Sequence, residues 1–151
     1  PDLVGSTLFA ANPAGRLVAI DMGSGARLWT AQDGTISTPA VAGGAIFFVS
    51  DQNELTRLDA STGEKLWSQE LPLFAERRER RQKTVYAHFG PVLAGGQLWV
   101  ASSDGALRSF DPVTGAATSS LEIRGGAATA PGVAGGGMYV VTKNGRLLAF
   151  R

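Results

Sequence analysis

The sequence predicts an all-β chain of about four repeated, four-stranded antiparallel sheets. Three observations predict it: a recurring Pro-x-x-x-Gly-Gly signature, short apolar runs bounded by tight-turn residues, and no helical spacing before Ala75. The signature stands as Pro39-Ala-Val-Ala-Gly-Gly44, Pro91-Val-Leu-Ala-Gly-Gly96 and Pro131-Gly-Val-Ala-Gly-Gly136, with a weaker copy in Pro1-Asp-Leu-Val-Gly-Ser6. Its offsets of 38, 52 and 40 residues fall in the range of repeat architectures, in which each unit is one supersecondary motif stacked on its neighbours.

Each copy is followed by an apolar run: Leu8 to Ala11, Ile46 to Val49, Leu98 to Ala101 and Met138 to Val141. A polar or glycine turn leads to a second run, Leu17 to Ile20, Leu55 to Leu58, Leu107 to Phe110 or Leu147 to Phe150. Runs this short, rich in Val, Ile and aromatic residues and separated by Gly-Gly, Asp-Gly, Asn-Gly or Thr-Gly, are strands joined by tight turns. A unit therefore reads as an inner strand near the Pro-x-Val, a central strand, a third strand and an outer strand such as Lys65-Leu-Trp-Ser68. Four antiparallel strands at this period make a β-propeller blade, and a β-sandwich would not repeat the signature at nearly constant spacing. The blades are expected at about 1–32, 39–71, 91–123 and 131–151 of a single propeller segment, with an insertion at 72–90. Because Ile46-Phe-Phe-Val49 is apolar at consecutive positions, both faces of that strand must be covered.

The turn between third and outer strand is more specific than the period. Ala19-Ile-Asp21-Met-Gly-Ser24-Gly25-Ala-Arg-Leu-Trp29 and Arg57-Leu-Asp59-Ala-Ser-Thr62-Gly63-Glu-Lys-Leu-Trp67 share one eleven-residue pattern. Asp with Ser or Thr can satisfy the turn's backbone groups, Gly permits positive φ, and Trp offers a flat apolar plate with one N–H to place. A third copy keeps Asp111, Thr114 and Gly115 but has Ser119 where the tryptophan belongs, so the outer contact of that blade is expected to be weaker. The fourth copy stops at Arg151, before its outer strand.

Composition bounds the function classes. With 44% hydrophobic residues and 20 glycines in 151 positions, the chain can bury a sizeable core. Fourteen Lys and Arg against thirteen Asp and Glu leave +1, which supplies no bulk field for nucleic acid, and no nucleic-acid partner is expected. The absence of cysteine excludes a disulfide, a thiolate nucleophile and a zinc–thiolate site within these residues. No apolar run approaches the roughly 18 residues of a spanning helix. Pro1 is read as a processed or truncated end.

Catalytic patterns are not found. The acids fall mostly in turns (Asp21, Asp59, Asp104, Asp111) or in the charged insertion (Glu76, Glu79), and no EF-hand spacing is present. Ser37-Thr38 and Ser102-Ser103 lie in no nucleophile-elbow pattern, and the glycine pairs precede strands rather than helices. No catalytic, cofactor-binding or metal-ligating residue is therefore assigned, and no cofactor is expected. His88, the only histidine, is read as packing or as a partner contact.

The stretch from Leu71 to Gly90 is about 13 residues longer than its counterparts. Residues 75–83 hold five basic and two acidic side chains, a local +3 against −2 for the remainder. Glu76 with Arg80 and Glu79 with Lys83 are i,i+4 pairs compatible with a short helical turn. Arg77, Arg78, Arg80, Arg81, Tyr86 and His88 are the candidate partner-binding residues, facing an acidic protein surface or anionic lipid headgroups; a solvated loop is the alternative.

The turn pattern resembles the tryptophan-docking motif of quinoprotein-type propeller repeats, with Asp21, Gly25, Trp29, Asp59, Thr62, Gly63, Trp67, Asp111 and Gly115 in its structural positions. The resemblance implies an eight-bladed ring of which this chain is half, completed by the missing part of a longer chain or by a second copy. Enzymes of that superfamily bind pyrroloquinoline quinone and calcium, so a fragment of a quinone-dependent dehydrogenase is one reading. Over nearly its whole length the sequence is more similar to the C-terminal half of the BamB family of outer-membrane assembly lipoproteins. The blade from Leu3, Val49-Ser-Asp-Gln-Asn53, Gly90-Pro-Val-Leu93, Ser103-Asp-Gly105 and the ending Lys143-Asn-Gly-Arg-Leu-Leu-Ala-Phe-Arg151 carry that likeness. It implies a non-catalytic periplasmic scaffold, held at the outer membrane by a lipid anchor outside this segment. The implied partner is the periplasmic part of the barrel-forming assembly subunit, met through rim loops, with Gln32 to Ser37 and Leu71 to Phe89 as candidates.

Overall fold

A computed structural model describes residues 2–12, 15–35, 37–73 and 85–151. They form two compact units, Pro1–Glu70 and Leu71–Arg151. Among the described residues all regular structure is strand.

The first unit contains two four-stranded sheets. One is β1 (Asp2–Val4), β2 (Thr7–Asn12), β3 (Arg16–Asp21) and β4 (Arg27–Ala31); the other is β5 (Ala40–Ala42), β6 (Ala45–Val49), β7 (Glu54–Asp59) and β8 (Lys65–Glu70). Both are antiparallel meanders with neighbours in sequence order. The second unit repeats this in β9 (His88–Ala94), β10 (Gln97–Ser102), β11 (Ala106–Phe110) and β12 (Ala117–Glu122). Its other sheet has three strands, β13 (Gly132–Ala134), β14 (Gly137–Val141) and β15 (Leu147–Phe150). Strand β9 begins inside the stretch assigned to the insertion, because His88 and Phe89 pair with Ser102 and Ala101.

The repeat is visible in the register. Phe9 faces Ala19, which faces Trp29; Phe47 faces Arg57, which faces Trp67; Trp99 faces Ser109, which faces Ser119. Each third-to-outer strand pair carries a register shift at the same place, leaving Leu28, Leu66 and Thr118 as the extra residues. Such a bulge bends the outer strand and increases its twist.

Burial follows the apolar pattern. Every residue of β6 is buried, as its unbroken apolar run requires. In the first unit Phe9, Leu17, Ala19 and Ala31 of one sheet pack with Ile46, Phe48 and Leu58 of the other. In the second, Ala101, Leu107 and Ile123 pack with Ala127, Met138 and Val140.

The Asp-x-x-Ser/Thr-Gly turns fold alike because their side chains take up the turn's own donors. Asp21 accepts from the backbone N–H and hydroxyl of Ser24 at 2.7 and 2.6 Å. Asp59 does so from the N–H groups of Ser61 and Thr62 at 2.8 and 3.0 Å, and Asp111 from Val113 and Thr114, both at 2.8 Å. Glycine closes each turn at positive φ, 71° at Gly25 and 75° at both Gly63 and Gly115, where a side chain would be strained. The hydroxyl of Ser24 foremost, with its backbone N–H, holds the Asp21 carboxyl below its ordinary range, and Ser61 and Thr62 act likewise on Asp59. These turns therefore contribute fully above the ordinary carboxylate pKa and lose that contribution as pH falls below it.

Trp29 joins the two sheets of the first unit. Its ring lies over Gly63, and its Nε1–H donates to the Ala60 carbonyl at 3.0 Å. A Cβ built on Gly63 would stand 2.6 Å from the indole Cε3. The same ring tilts against Phe9 at 6.0 Å, as Trp67 does against Phe47 at 6.2 Å. Trp29→Ala is expected to destabilise the chain by about 3 kcal/mol, the usual cost of an aromatic-sized cavity. Gly63→Ala, which drives a methyl into the ring from a left-handed backbone, should cost roughly 2–4 kcal/mol. Urea denaturation of both variants and their combination checks the contact: with the indole gone the methyl has room, so the double variant should cost clearly less than the sum.

Candidate functional site

The second unit departs from its own repeat in two places, and these define the candidate site. The first is the outer contact of the third sheet. Where β4 and β8 carry tryptophan, β12 carries Ser119, whose Oγ lies 2.7 Å from Ser109 Oγ. Thr118 joins them, 2.7 Å from Ser109 and bonded to Gln97. The plate is thus replaced by a ladder of small hydroxyls. An indole reappears two strands away, since Trp99 stands where the first unit has Phe9 and Phe47, and it donates to the Ala94 carbonyl at 3.1 Å.

Between the third and fourth sheets lies an open apolar cavity of about 470 Å³, walled by Trp99, Leu107, Leu121, Val133, Met138 and Phe150. Beside it β15 pairs with β14 along one edge, and its other edge has no strand among the described residues. Leu121, Val133 and Leu147 are exposed there. An unpaired row of backbone donors and acceptors next to an apolar slot can take up an extended segment.

The second departure is polar and buried. His88 is 3% exposed; its Nδ1 lies 2.6 Å from Ser102 Oγ and its Nε2 lies 2.8 Å from the Pro72 carbonyl. Arg108 Nη1 donates to the same Ser102 Oγ at 3.2 Å, and its guanidinium forms a two-pronged ion pair with Asp104. Asp104 also caps its own turn by accepting from Ala106 N–H at 3.1 Å. In the second and fourth sheets the residues equivalent to Ser102, namely Ser50 and Thr142, cap that turn themselves. Asp104 takes over this duty in the third sheet and leaves Ser102 for His88 and Arg108. Ser102 has no exposed surface, so the Ser–His contact is structural and presents no nucleophile.

The structure separates the residues singled out from the sequence. The turns at Asp21, Asp59 and Asp111 carry the side-chain hydrogen bonds given above, and the Trp29 ring lies over Gly63. Trp67 is half-buried against Phe47. His88 lies in the interior and reaches no surface for a partner, because its imidazole completes the polar chain. Tyr86 is half-buried, and its N–H donates to the Leu73 carbonyl at 2.9 Å. Arg77, Arg78, Arg80 and Arg81, with the helical turn expected at 75–83, lie outside the described residues. Trp99, Ser102 and Arg108 were not singled out individually. Their signal was available in the repeat: Arg108 stands where the other third strands have Val18, Thr56 and Leu148, and His88 where Thr35 and Ala127 stand.

Among the described residues no group of three His, Cys, Asp or Glu side chains converges as a metal site.

The sheet order, the locked turns and the tryptophan plate define a β-propeller chain of the quinoprotein-repeat class. Residues 1–69 and 78–151 match the family model described as outer membrane protein assembly factor BamB, and the chain belongs to that family. No curated protein sequence matches it. Among solved structures, BamB from Moraxella catarrhalis superposes with a TM-score of 0.74 at 19% identity, over 98% of this chain and 46% of that one. The computationally designed Ika4 protein gives 0.73 at 12% identity, over 98% and 86%. Quinohemoprotein alcohol dehydrogenase from Comamonas testosteroni gives 0.68 at 16%, over 91% and 28%. The chain spans less than half the length of the BamB structure.

The partly buried ion pair allows a direct check. Arg108→Leu should cost about 3 kcal/mol, since it strands the Asp104 carboxylate, whose side chain is 8% exposed. Adding Asp104→Asn, which keeps the turn cap and removes the charge, should recover most of that loss in urea denaturation. Leucine already occupies the matching position in the fourth sheet.

Proposed function

We propose that this chain is part of a non-catalytic scaffold at the periplasmic face of the outer membrane, acting in the assembly of outer-membrane β-barrel proteins. The observation that carries this reading is the match to the BamB family over nearly the whole sequence. A scaffold works through surfaces rather than reacting groups, and the second unit offers an open strand edge beside an apolar slot. The lipid anchor of such a protein lies outside this segment. The partner we infer is the periplasmic part of the barrel-forming subunit, and the remaining half-ring comes from further chain or from a second copy. The basic residues of 75–83 supply the complement to an acidic partner surface.

Retention of the chain by immobilised periplasmic domains of the barrel-forming subunit tests the proposal. Binding is expected to weaken by at least about tenfold when Arg77, Arg78, Arg80 and Arg81 are all changed to Glu, and to weaken with salt. Retention indifferent to that reversal removes the basic stretch from the interface. No retention by the domains, with sedimentation on anionic vesicles instead, sinks the protein-partner reading.

The similarity to a quinohemoprotein alcohol dehydrogenase favours a second reading, a piece of a quinone-dependent dehydrogenase. Saturable stabilisation of the chain by pyrroloquinoline quinone with calcium would support it; an unchanged melting temperature is expected.

A further inference from the structure

The chain holds three asparagines, and they differ in the residue that follows each. Asn12 precedes Pro13, which has no N–H to give up. Asn53 is buried and precedes Glu54, whose side chain crowds its nitrogen and whose N–H donates to Ser50 Oγ at 3.2 Å. Asn144 precedes Gly145. With no Cβ beside it, a glycine nitrogen approaches the side-chain carbonyl carbon of the residue before it more closely than any other. Of the three steps, Asn144-Gly145 alone is open to ring closure between side chain and backbone.

Asn144 is exposed in the turn that joins β14 to β15. Gly145 N–H donates to the Thr142 carbonyl at 2.9 Å, and Arg146 N–H donates to Thr142 Oγ1 at 3.1 Å. The side-chain amide lies against Gly125, where a Cβ would stand 2.9 Å from Nδ2. The third sheet shows what a carboxylate does at this place. Its turn, Ser102-Ser103-Asp104-Gly105-Ala106, matches Thr142-Lys143-Asn144-Gly145-Arg146, with the Gly105 N–H on the Ser102 carbonyl at 3.2 Å and both glycines at positive φ, 98° and 73°. Asp104 Oδ1 accepts from Ala106 N–H at 3.1 Å. The matching donor in the fourth sheet is Arg146 N–H, so an acid at position 144 finds a turn built to accept one, flanked by the cationic Lys143 and Arg146.

We propose that Asn144 is a site of spontaneous modification, converted to aspartate and isoaspartate by closure of its side chain onto Gly145. The Gly145 nitrogen gives its proton to hydroxide and attacks Cγ. A C–N bond forms, and the side-chain nitrogen takes a proton from water and leaves as ammonia. Water then opens the cyclic imide. Attack at Cγ restores the original peptide bond and gives aspartate; attack at the main-chain carbonyl leaves the chain running through the side chain and gives isoaspartate. The balance is one amide and one water for one acid and one ammonia, with no oxidant or reductant. The turn acts as a brake, because the nitrogen must first leave the Thr142 carbonyl; one hydrogen bond of this kind slows the folded chain about fivefold relative to the unfolded one. It does not stop the reaction, since an exposed hairpin end opens locally without unpairing its strands. Asp104, in the same turn of the third sheet, is ion-paired with Arg108 and has no amide to lose.

The test needs no partner, so its outcome is separate from that of the proposed docking. The folded chain is incubated at mildly alkaline pH, and its peptides are followed by mass spectrometry with fragmentation that separates aspartyl from isoaspartyl linkages. The expected result is an amide-to-acid mass gain at position 144 alone, present in both forms and faster as pH rises. The aspartyl form should co-elute with the same peptide of Asn144→Asp, and Asn144→Gln, which would need a larger ring, should stay unmodified. In urea the conversion should run about fivefold faster. Thr142→Val, which removes the hydroxyl bracing Arg146 N–H, should speed the folded chain about threefold; if that variant does not fold, the comparison of folded and urea-unfolded native chain decides. A folded chain unmodified at 144 once the unfolded chain is fully converted, conversion at Asn53 as fast as at Asn144, or an acid product with no isoaspartyl form overturns the site. Equal rates in the folded and unfolded chain, or a folded Thr142→Val with an unmoved rate, overturns the part assigned to the turn.

Discussion

The contact between the Trp29 indole and Gly63 is the constraint on which the arrangement of the first unit turns. A sheet with two apolar faces must be covered on both, and a flat plate covers a neighbouring sheet only where that neighbour presents no side chain. Gly63 meets the requirement twice over, since its positive φ closes the turn and its missing Cβ leaves room for the ring. The Ala60 carbonyl then receives the one polar atom of the plate. Turn chemistry, strand bulge and inter-sheet packing are therefore one device, and its parts are spaced by the eleven-residue motif that encodes them.

The second unit lacks part of that device. With Ser119 in the plate position, polar side chains bond to one another across the outer strands; the junction of the third and fourth sheets holds an open apolar cavity of about 470 Å³, and that of the first and second sheets one of about 430 Å³. The relocation of an indole to Trp99 fills part of the space, but its N–H is satisfied within its own sheet, at Ala94.

Interior polarity in the third sheet obeys a different rule. A buried histidine and serine, with a half-buried arginine and aspartate beside them, are tolerable only if the buried donors find acceptors. Here the donor-only guanidinium and the acceptor-only carbonyl fix the direction of the whole chain.

The sequence by itself determined the strands, their order and the locked turns, because these depend on residues within a few positions of one another: Gly at positive φ, Asp beside Ser or Thr, apolar runs of fixed length. It also determined the family, through a motif long enough to be specific. Tertiary structure alone decided the state of His88. Its partners Pro72, Ser102 and Arg108 are 14 to 20 residues away, and only strand register brings them together. The turn role of Asp104 was legible, whereas its second role as the partner of Arg108 was not, since that pair forms on a third strand whose counterparts are apolar or hydroxyl-bearing. Local geometry is written in local sequence; the meeting of two isolated departures from a repeat is a property of the folded sheet.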